Sequence, residues 1–319
     1  MKYLKNLGSQ FSISIPPDRD GFVGRECPMS ECESYFKIQP GTGLKGDNLP
    51  CHCPYCGHAA EADKFFTKAQ VEYAQSVVLN QVTGALLKDL KSLEFNYRPR
   101  GGFGIGICMK VAGRQSPICH YREKQLETEV DCEQCRLRYM IYGVFGFCPD
   151  CGVHNSFQIL KKNLAIVEKL LTVAETQDKT VAQSLIENGL KNCVAAFDGF
   201  GREICRIHGK ASTDLGKVEK ISFQNLERAK QSLSSLFNLD LGAGLSSDEW
   251  KETVRAFQMR HLFSHKMGVI DDEYIRKSGD TQAVVGRKIS IDVGEVRALI
   301  QIMDKLGRDL FDAMRKIRT

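Results

Sequence analysis

The sequence predicts an α+β multidomain protein, with cysteine-bearing β elements and one helix in its N-terminal half and an all-α helical bundle in its C-terminal half. Three observations carry this expectation. Closely spaced cysteines are confined to residues 27–151 of the chain. From Ile186 onward, apolar residues recur at alternating gaps of four and three, which is the period of one helix face. At 319 residues the chain also exceeds what one small core needs, so several domains are expected. The segments are 1–65, a first cysteine-bearing ribbon; 66–160, a helix, strands and a second cysteine-bearing ribbon; and 161–319, the helical bundle.

Charge excludes one class of function. The formal charge is +5, with 18 basic against 17 acidic residues up to position 160 and 26 against 22 beyond it. A chain-wide polyanion-binding surface is not indicated, although local patches remain open. No apolar run approaches a bilayer span, and "MKYLKNLGSQFSISIPPD" lacks the apolar region and cleavage site of a signal peptide. The expectation is a soluble, cytoplasmic protein with no membrane partner. In a reducing compartment, cysteines in close pairs point to metal rather than to disulfides.

The sharpest constellation is "CEQCRLRYMIYGVFGFCPDCG". Cys132, Cys135, Cys148 and Cys151 form two C-x2-C pairs twelve residues apart. Each pair can curl into a knuckle with both thiolates on one side, and a β-hairpin between them would bring four sulfurs to one tetrahedral point. Gly152 permits the left-handed turn that such a knuckle needs. The spacer is aromatic and β-branched, as a hairpin should be.

A related pattern lies upstream, where "CPMSEC" supplies Cys27 and Cys32 and "CHCPYCGH" supplies Cys51, Cys53 and Cys56. Five thiols compete for four places. Because "CPYCG" repeats the form of "CPDCG", Cys53 and Cys56 are the preferred ligands, with Cys51, His52 and His58 as bystanders and Cys51 as a possible substitute. Four thiolates close the coordination shell, so two structural Zn2+ ions and no catalytic metal are expected. Cys108, Cys119, Cys193 and Cys205 have no close partner; free buried thiols behave as small hydrophobes.

Between the two sets, residues 67–93 read as a helix, with Thr67 as cap and Leu86, Leu90 and Leu93 on one stripe. "NYRPRGGFG" ends it; its Arg98 and Arg100 suit either a phosphate contact or, more ordinarily, a surface loop. "IGICMKV" and "REKQLETEV" read as strands. Arg136 and Arg138 alternate along the second ribbon, on either a nucleic-acid-facing or a solvated strand face.

In the second half, Ile186, Leu190, Cys193, Phe197, Phe200, Ile204 and Ile207 mark one face of a long helix. Residues 222–237 form a shorter helix. The next opens with a capping box from Ser246 to Glu249 and closes at Gly268. The last begins near Asp292, with Val296, Leu299, Met303, Leu306, Leu310, Met314 and Ile317 on one stripe, and "AVVGRKISI" between these two is β-like. An antiparallel bundle of about four or five helices follows.

The third of these helices ends in "RHLFSHKMG". His261 and His265 are four apart and about 40° from one another on an ideal helix, so they can share an ion. The zincin pattern H-E-x-x-H needs Glu after the first histidine, however, and Leu262 stands there. The gaps linking Trp250, Val254, Phe257 and His261 place His261 on the buried stripe. A third reading couples Arg260, about 140° from His265 on an ideal helix, with that histidine at one phosphate. A histidine exchanges protons with a ribose hydroxyl or leaving oxygen while guanidinium braces a phosphorane.

Arg260, the polar residue beside it and His265 near the end of a bundle helix resemble the R-x4-6-H motif of HEPN domains, all-α bundles many of which are metal-independent endoribonucleases of toxin-antitoxin and antiviral defence systems. The resemblance covers about residues 180–319. It implies Arg260 and His265 as catalytic, His261 as an auxiliary polar residue, an RNA substrate cut by its own 2′-hydroxyl to leave a cyclic phosphate, and a homodimer with two motifs facing one another. His261 stands where members often have asparagine, and Met267 where some carry a modified tyrosine. The zinc ribbons would then recognise nucleic acid or a protein partner. The alternative is a non-catalytic zinc-ribbon regulator whose bundle dimerises.

Overall fold

The computed structural model describes residues 2–46, 49–97 and 107–317. The chain forms two compact units, Met1–Val153 and His154–Thr319. Arg98 and Arg100 lie outside the described residues.

The cysteine-rich unit runs α1 (Lys2–Lys5), β1 (Val23–Glu26), β2 (Tyr35–Ile38), β3 (Pro50–His52), β4 (Ala59–Glu61), α2 (Lys68–Lys91), β5 (Phe95–Tyr97), β6 (Ile107–Met109), β7 (Thr128–Asp131) and β8 (Arg138–Ile141). One antiparallel sheet has the order β1-β2-β8-β7, and β3–β4 and β5–β6 are separate two-stranded ribbons. The join is β2 to β8, with Lys37 opposite Met140 and Ile38 opposite Tyr139. Strands from 1–65 and 66–160 therefore share one sheet. Two-stranded hairpins are marginal alone, and the join lets Phe36, Tyr139 and Ile141 become wholly buried in a common core.

Two sequence expectations change here. The spacer between Cys135 and Cys148 is not a self-contained hairpin: it supplies one strand, β8, whose partners are β7 and β2. Tertiary pairing to the exposed edge of the first ribbon replaces the local turn. Helix α2 keeps its expected start, with a full capping box between Thr67 and Gln70, but its buried face is not the leucine stripe. Gln70, Ser76, Gly84, Ala85 and Asp89 are buried, whereas Leu86 and Leu90 are half-buried and Leu93 is exposed. The polar side chains are there because they bind backbone. Gln70 Nε2 donates to the Gly24 carbonyl at 2.9 Å, Ser76 Oγ accepts from Cys119 N–H, and Asp89 accepts the N–H groups of Lys2, Tyr3 and Leu4.

The helical unit contains α3 (Ser156–Ala174), α4 (Lys179–Ile207), α5 (Leu215–Val218), α6 (Leu226–Phe237), α7 (Ser247–His265), α8 (Asp272–Ser278) and α9 (Val293–Lys316). The α4 stripe is buried from Ile186 through Ile204, and the α9 stripe from Val296 through Met314. Phe157 at the start of α3 contacts Phe200 and Phe311, late in α4 and α9, while Arg297 early in α9 pairs with Glu168, late in α3, and with Glu175, its C-cap. Helix α3 is thus antiparallel to both, which makes α4 and α9 parallel to each other. Helix α7 runs antiparallel to α9, since Glu249 meets Lys305 and Arg255 meets Glu295. The β-like stretch near residue 288 shrinks to one bridge, Val269 to Lys288. Among the described residues no helix is long and apolar enough to cross a membrane.

Candidate functional site

The eight preferred cysteines converge as two groups of four, Cys27, Cys32, Cys53 and Cys56, and Cys132, Cys135, Cys148 and Cys151, each with its sulfurs within 4.8 Å of one another. Sulfur separations are 3.6 Å for Cys27–Cys56 and 3.7 Å for Cys32–Cys53 in the first group, and 3.7 Å for Cys132–Cys151 and 3.4 Å for Cys135–Cys148 in the second. A tetrahedron of thiolates about 2.3 Å from Zn2+ has edges of about 3.8 Å, so each group can hold a zinc ion with all four places filled.

The knuckles share a backbone device. The residue after each second cysteine has positive φ: Glu33 at 43°, Gly57 at 73°, Arg136 at 67° and Gly152 at 67°. In three of the four the amide at this left-handed step returns to the first cysteine of the pair, whereas Glu33 N–H returns to Met29 O. Gly57 N–H donates to Cys53 O, Arg136 N–H to Cys132 O, and Gly152 N–H to Cys148 O. Two of the four positions are not glycine, a strain of about 1–2 kcal/mol each that closure around a metal can offset.

Cys51 stands outside the cluster. It sits on β3, buried, opposite Ala60, and burial pushes its thiol up to about 12. Arg136 and Arg138 are engaged with carboxylates: Arg138 Nε donates to Glu129 at 2.9 Å, and Arg136 lies 4.0 Å from Asp131. Both side chains remain exposed, and Arg136 sits in the knuckle turn that precedes β8 rather than on the strand.

In the helical unit, Arg260, His261 and His265 all line one cleft of about 640 Å³ between α7 and the α5–α6 segment. Helix α7 lines the cleft from Phe257 to its last residue, His265. Lys266 caps it, Met267 and Gly268 turn left-handed at φ 52° and 82°, and Gly268 N–H returns to the Leu262 carbonyl. The two imidazoles are exposed and adjacent, with ring centroids 4.8 Å apart. His261 is therefore not on the buried stripe that its spacing suggested. Val254 and Phe257 are buried, but the stripe then rotates onto Leu262 and Phe263. Burial, then His265, Arg260 and Lys266, hold His261 below the ordinary imidazole range.

Arg260 leans toward the 222–224 loop on the facing wall of the cleft, which accommodates its angular offset from His265. Its Nη2 donates toward Gln224 O at 3.3 Å and lies 3.5 Å from Gln224 Oε1, while burial lowers its pKa and Asp198 opposes that. Asp198 is a residue that sequence reasoning missed. Buried on α4, it accepts from Phe223 N–H at 2.6 Å, Gln224 Nε2 at 3.2 Å, Arg202 Nε at 3.1 Å and Ser222 Oγ at 3.3 Å. It holds the 222–224 loop, and that loop holds Arg260.

No family model, curated protein or solved structure matches the chain. Besides the motif residues, Lys217, Lys220, Arg228 and Lys277 line the cleft, and among the described residues no carboxylate does. Nothing local in the sequence marks these four, because they come from three separate segments. A faint signal for Asp198 was present, as an acid next to the apolar stripe at Phe197.

Proposed function

We propose that the helical unit is a metal-independent endoribonuclease of HEPN type. The observation that carries this reading is the convergence of Arg260, His261 and His265 on one cationic cleft free of carboxylates among the described residues. Such a site attracts a phosphodiester and offers no hard oxygen cage for a divalent ion.

In this mechanism the RNA's own 2′-hydroxyl attacks the adjacent phosphorus. His261, held low by burial and neighbouring cations, takes the hydroxyl proton as the P–O bond forms. His265, beside it, gives a proton to the departing 5′-oxygen as the opposite P–O bond breaks. Arg260 neutralises charge on the equatorial oxygens of the phosphorane, oriented by Gln224. The products are a 2′,3′-cyclic phosphate and a 5′-hydroxyl, with protons in balance and no metal in the cycle.

The two four-cysteine sites are structural in this reading, and the cysteine-rich unit recognises nucleic acid or a protein partner. Homodimerisation of the helical unit and a toxin or antiviral-defence setting extend the same reading from the HEPN resemblance. The test is cleavage of an RNA panel by purified protein in EDTA, beside His265→Ala and Arg260→Ala proteins with unaltered zinc content and unfolding midpoint. General acid–base catalysis is worth about 10²–10⁴-fold, so the His265 variant should lose at least a hundredfold. A parent protein that cuts nothing across the panel, or variants that cut as well as it does, defeats the proposal.

A further inference from the structure

The cleft extends well beyond the three motif residues, and its remaining cations are not equivalent. Lys217 is paired with Asp214 at 3.2 Å and Lys277 with Glu273 at 2.7 Å. Lys220 and Arg228 have no carboxylate partner among the described residues, although both are exposed in the cleft. They stand on the wall made by the α5–α6 segment, across from the histidines on α7. Two unpaired cations on one wall of a concave site repel each other and lower the potential barrier to an anion. Their backbones are fixed independently of the side chains: Lys220 N–H donates to the Lys217 carbonyl, and Arg228 N–H to Asn225 Oδ1, the cap of α6.

We propose that Lys220 and Arg228 form a second phosphate subsite, which grips the RNA phosphate flanking the one held by Arg260. This rests on the ribonuclease reading for the identity of the scissile phosphate. The consequence is a substrate-length requirement. A dinucleotide with one phosphate uses Arg260 and the histidines alone, whereas a single strand of three or more nucleotides engages both walls. Lys220 and Arg228 then set affinity, not the chemical step, because they contact a phosphate that does not react.

The test uses the full chain and a fluorescein-labelled 2′-O-methyl oligonucleotide of eight residues, which has no free 2′-hydroxyl and binds without being cut. Anisotropy across a salt series compares the parent with Lys220→Gln/Arg228→Gln and with Lys169→Gln/Lys251→Gln, exposed lysines elsewhere on the helical unit. Each single-strand phosphate contact contributes about 0.7 to the slope of log Kd against log salt, so losing two should flatten it by about 1.4. Kd should rise roughly tenfold at low salt, with the control pair unchanged.

On cleavable RNA, the cleft variant should show raised KM at unchanged kcat for the octamer and no change on a dinucleotide. An octamer affinity and salt slope equal to the parent's, an equal fall in the control pair, or a parent that binds no RNA would overturn the subsite. The two readings fail separately. A flattened slope without any cleavage by the parent sinks the nuclease and keeps the subsite, while cleavage with an unaltered slope does the reverse.

Discussion

Replacing Asp198 with alanine tests the joint on which the cleft is built. The buried Phe223 N–H loses its 2.6 Å acceptor, and an orphaned buried donor costs about 1–3 kcal/mol. The bonds from Gln224 Nε2 and Ser222 Oγ arise at the loop surface, where water can replace the carboxylate, and Arg202 is half exposed, so its pair adds at most about 1 kcal/mol. The total is about 3 kcal/mol. For a unit of this size, each kcal/mol moves Tm by about 2–4 °C, so the midpoint should fall by roughly 6–12 °C. The chain has a single tryptophan, Trp250, which bridges α6 and α7 through a 2.8 Å bond to Glu227 and a contact with Lys230. Its fluorescence in a urea titration therefore reports this unit. Asp198→Asn keeps one acceptor oxygen for Phe223 and should lose less than half as much, while Gln224→Ala should fall within about 0.5 kcal/mol of the parent. A midpoint unmoved by Asp198→Ala would refute the assignment of this carboxylate as the anchor of the 222–224 loop.

Four further outcomes follow from the geometry. Metal analysis should find two zincs per chain in the parent and in Cys51→Ser, but one in Cys53→Ser or Cys148→Ser; loss of zinc from the Cys51 variant would mean that the wrong thiol has been assigned. Gly201→Ala places a Cβ 2.5–2.6 Å from three carbons of the buried Phe223 ring. Overpacking there should cost about 1–3 kcal/mol by urea titration, whereas an alanine at Gly199, with open space around it, should be neutral or stabilising. His154 is buried, its Nδ1 accepts from Ser156 N–H, and burial pushes its pKa down to about 4. The unfolded chain takes up this proton near pH 6.5 and the folded one only near 4, so the stabilisation is complete above pH 6.5 and declines toward pH 4. The decline is about 3 kcal/mol, and a His154→Gln protein whose stability falls as steeply over that window would contradict it. Finally, Ser246→Ala removes one arm of the α7 capping box and should cost about 1 kcal/mol, measured as a shifted urea midpoint.

Much of the architecture is legible in local pattern. The spacing of Cys132, Cys135, Cys148 and Cys151 implies one metal point because thiolates two residues apart can share it only through a tight knuckle. The repeat of "CPYCG" and "CPDCG" correctly separates Cys53 from Cys51 as the member of the converging set. The α4 and α9 stripes translate directly into buried faces because a helix of more than twenty residues averages over local exceptions. The capping boxes at Thr67 and Ser246 likewise appear where their hydroxyl and amide or carboxylate partners stand three residues apart.

Other features depend on partners distant in the chain. Short strands such as β8 choose neighbours by tertiary pairing, so a spacer composed like a hairpin became one strand of a sheet shared with residues 35–38. Helix α2 buries Gln70 and Asp89 rather than its leucines because distant backbone groups need those polar atoms, a demand invisible in periodicity. Gap counting places His261 on a buried stripe; the buried face of α7 instead rotates onto Leu262 and Phe263, which leaves His261 on the cleft side. By itself the sequence singled out the candidates, the eight thiols and Arg260 with its histidines, since ligand type and spacing are local properties. Only the tertiary structure decided that Asp198 anchors Gln224, that Gln224 holds Arg260 in the cleft it shares with His265, and that Lys220 and Arg228 complete the opposite wall. Charges tens of residues apart become neighbours only when helix packing brings their segments around the same space.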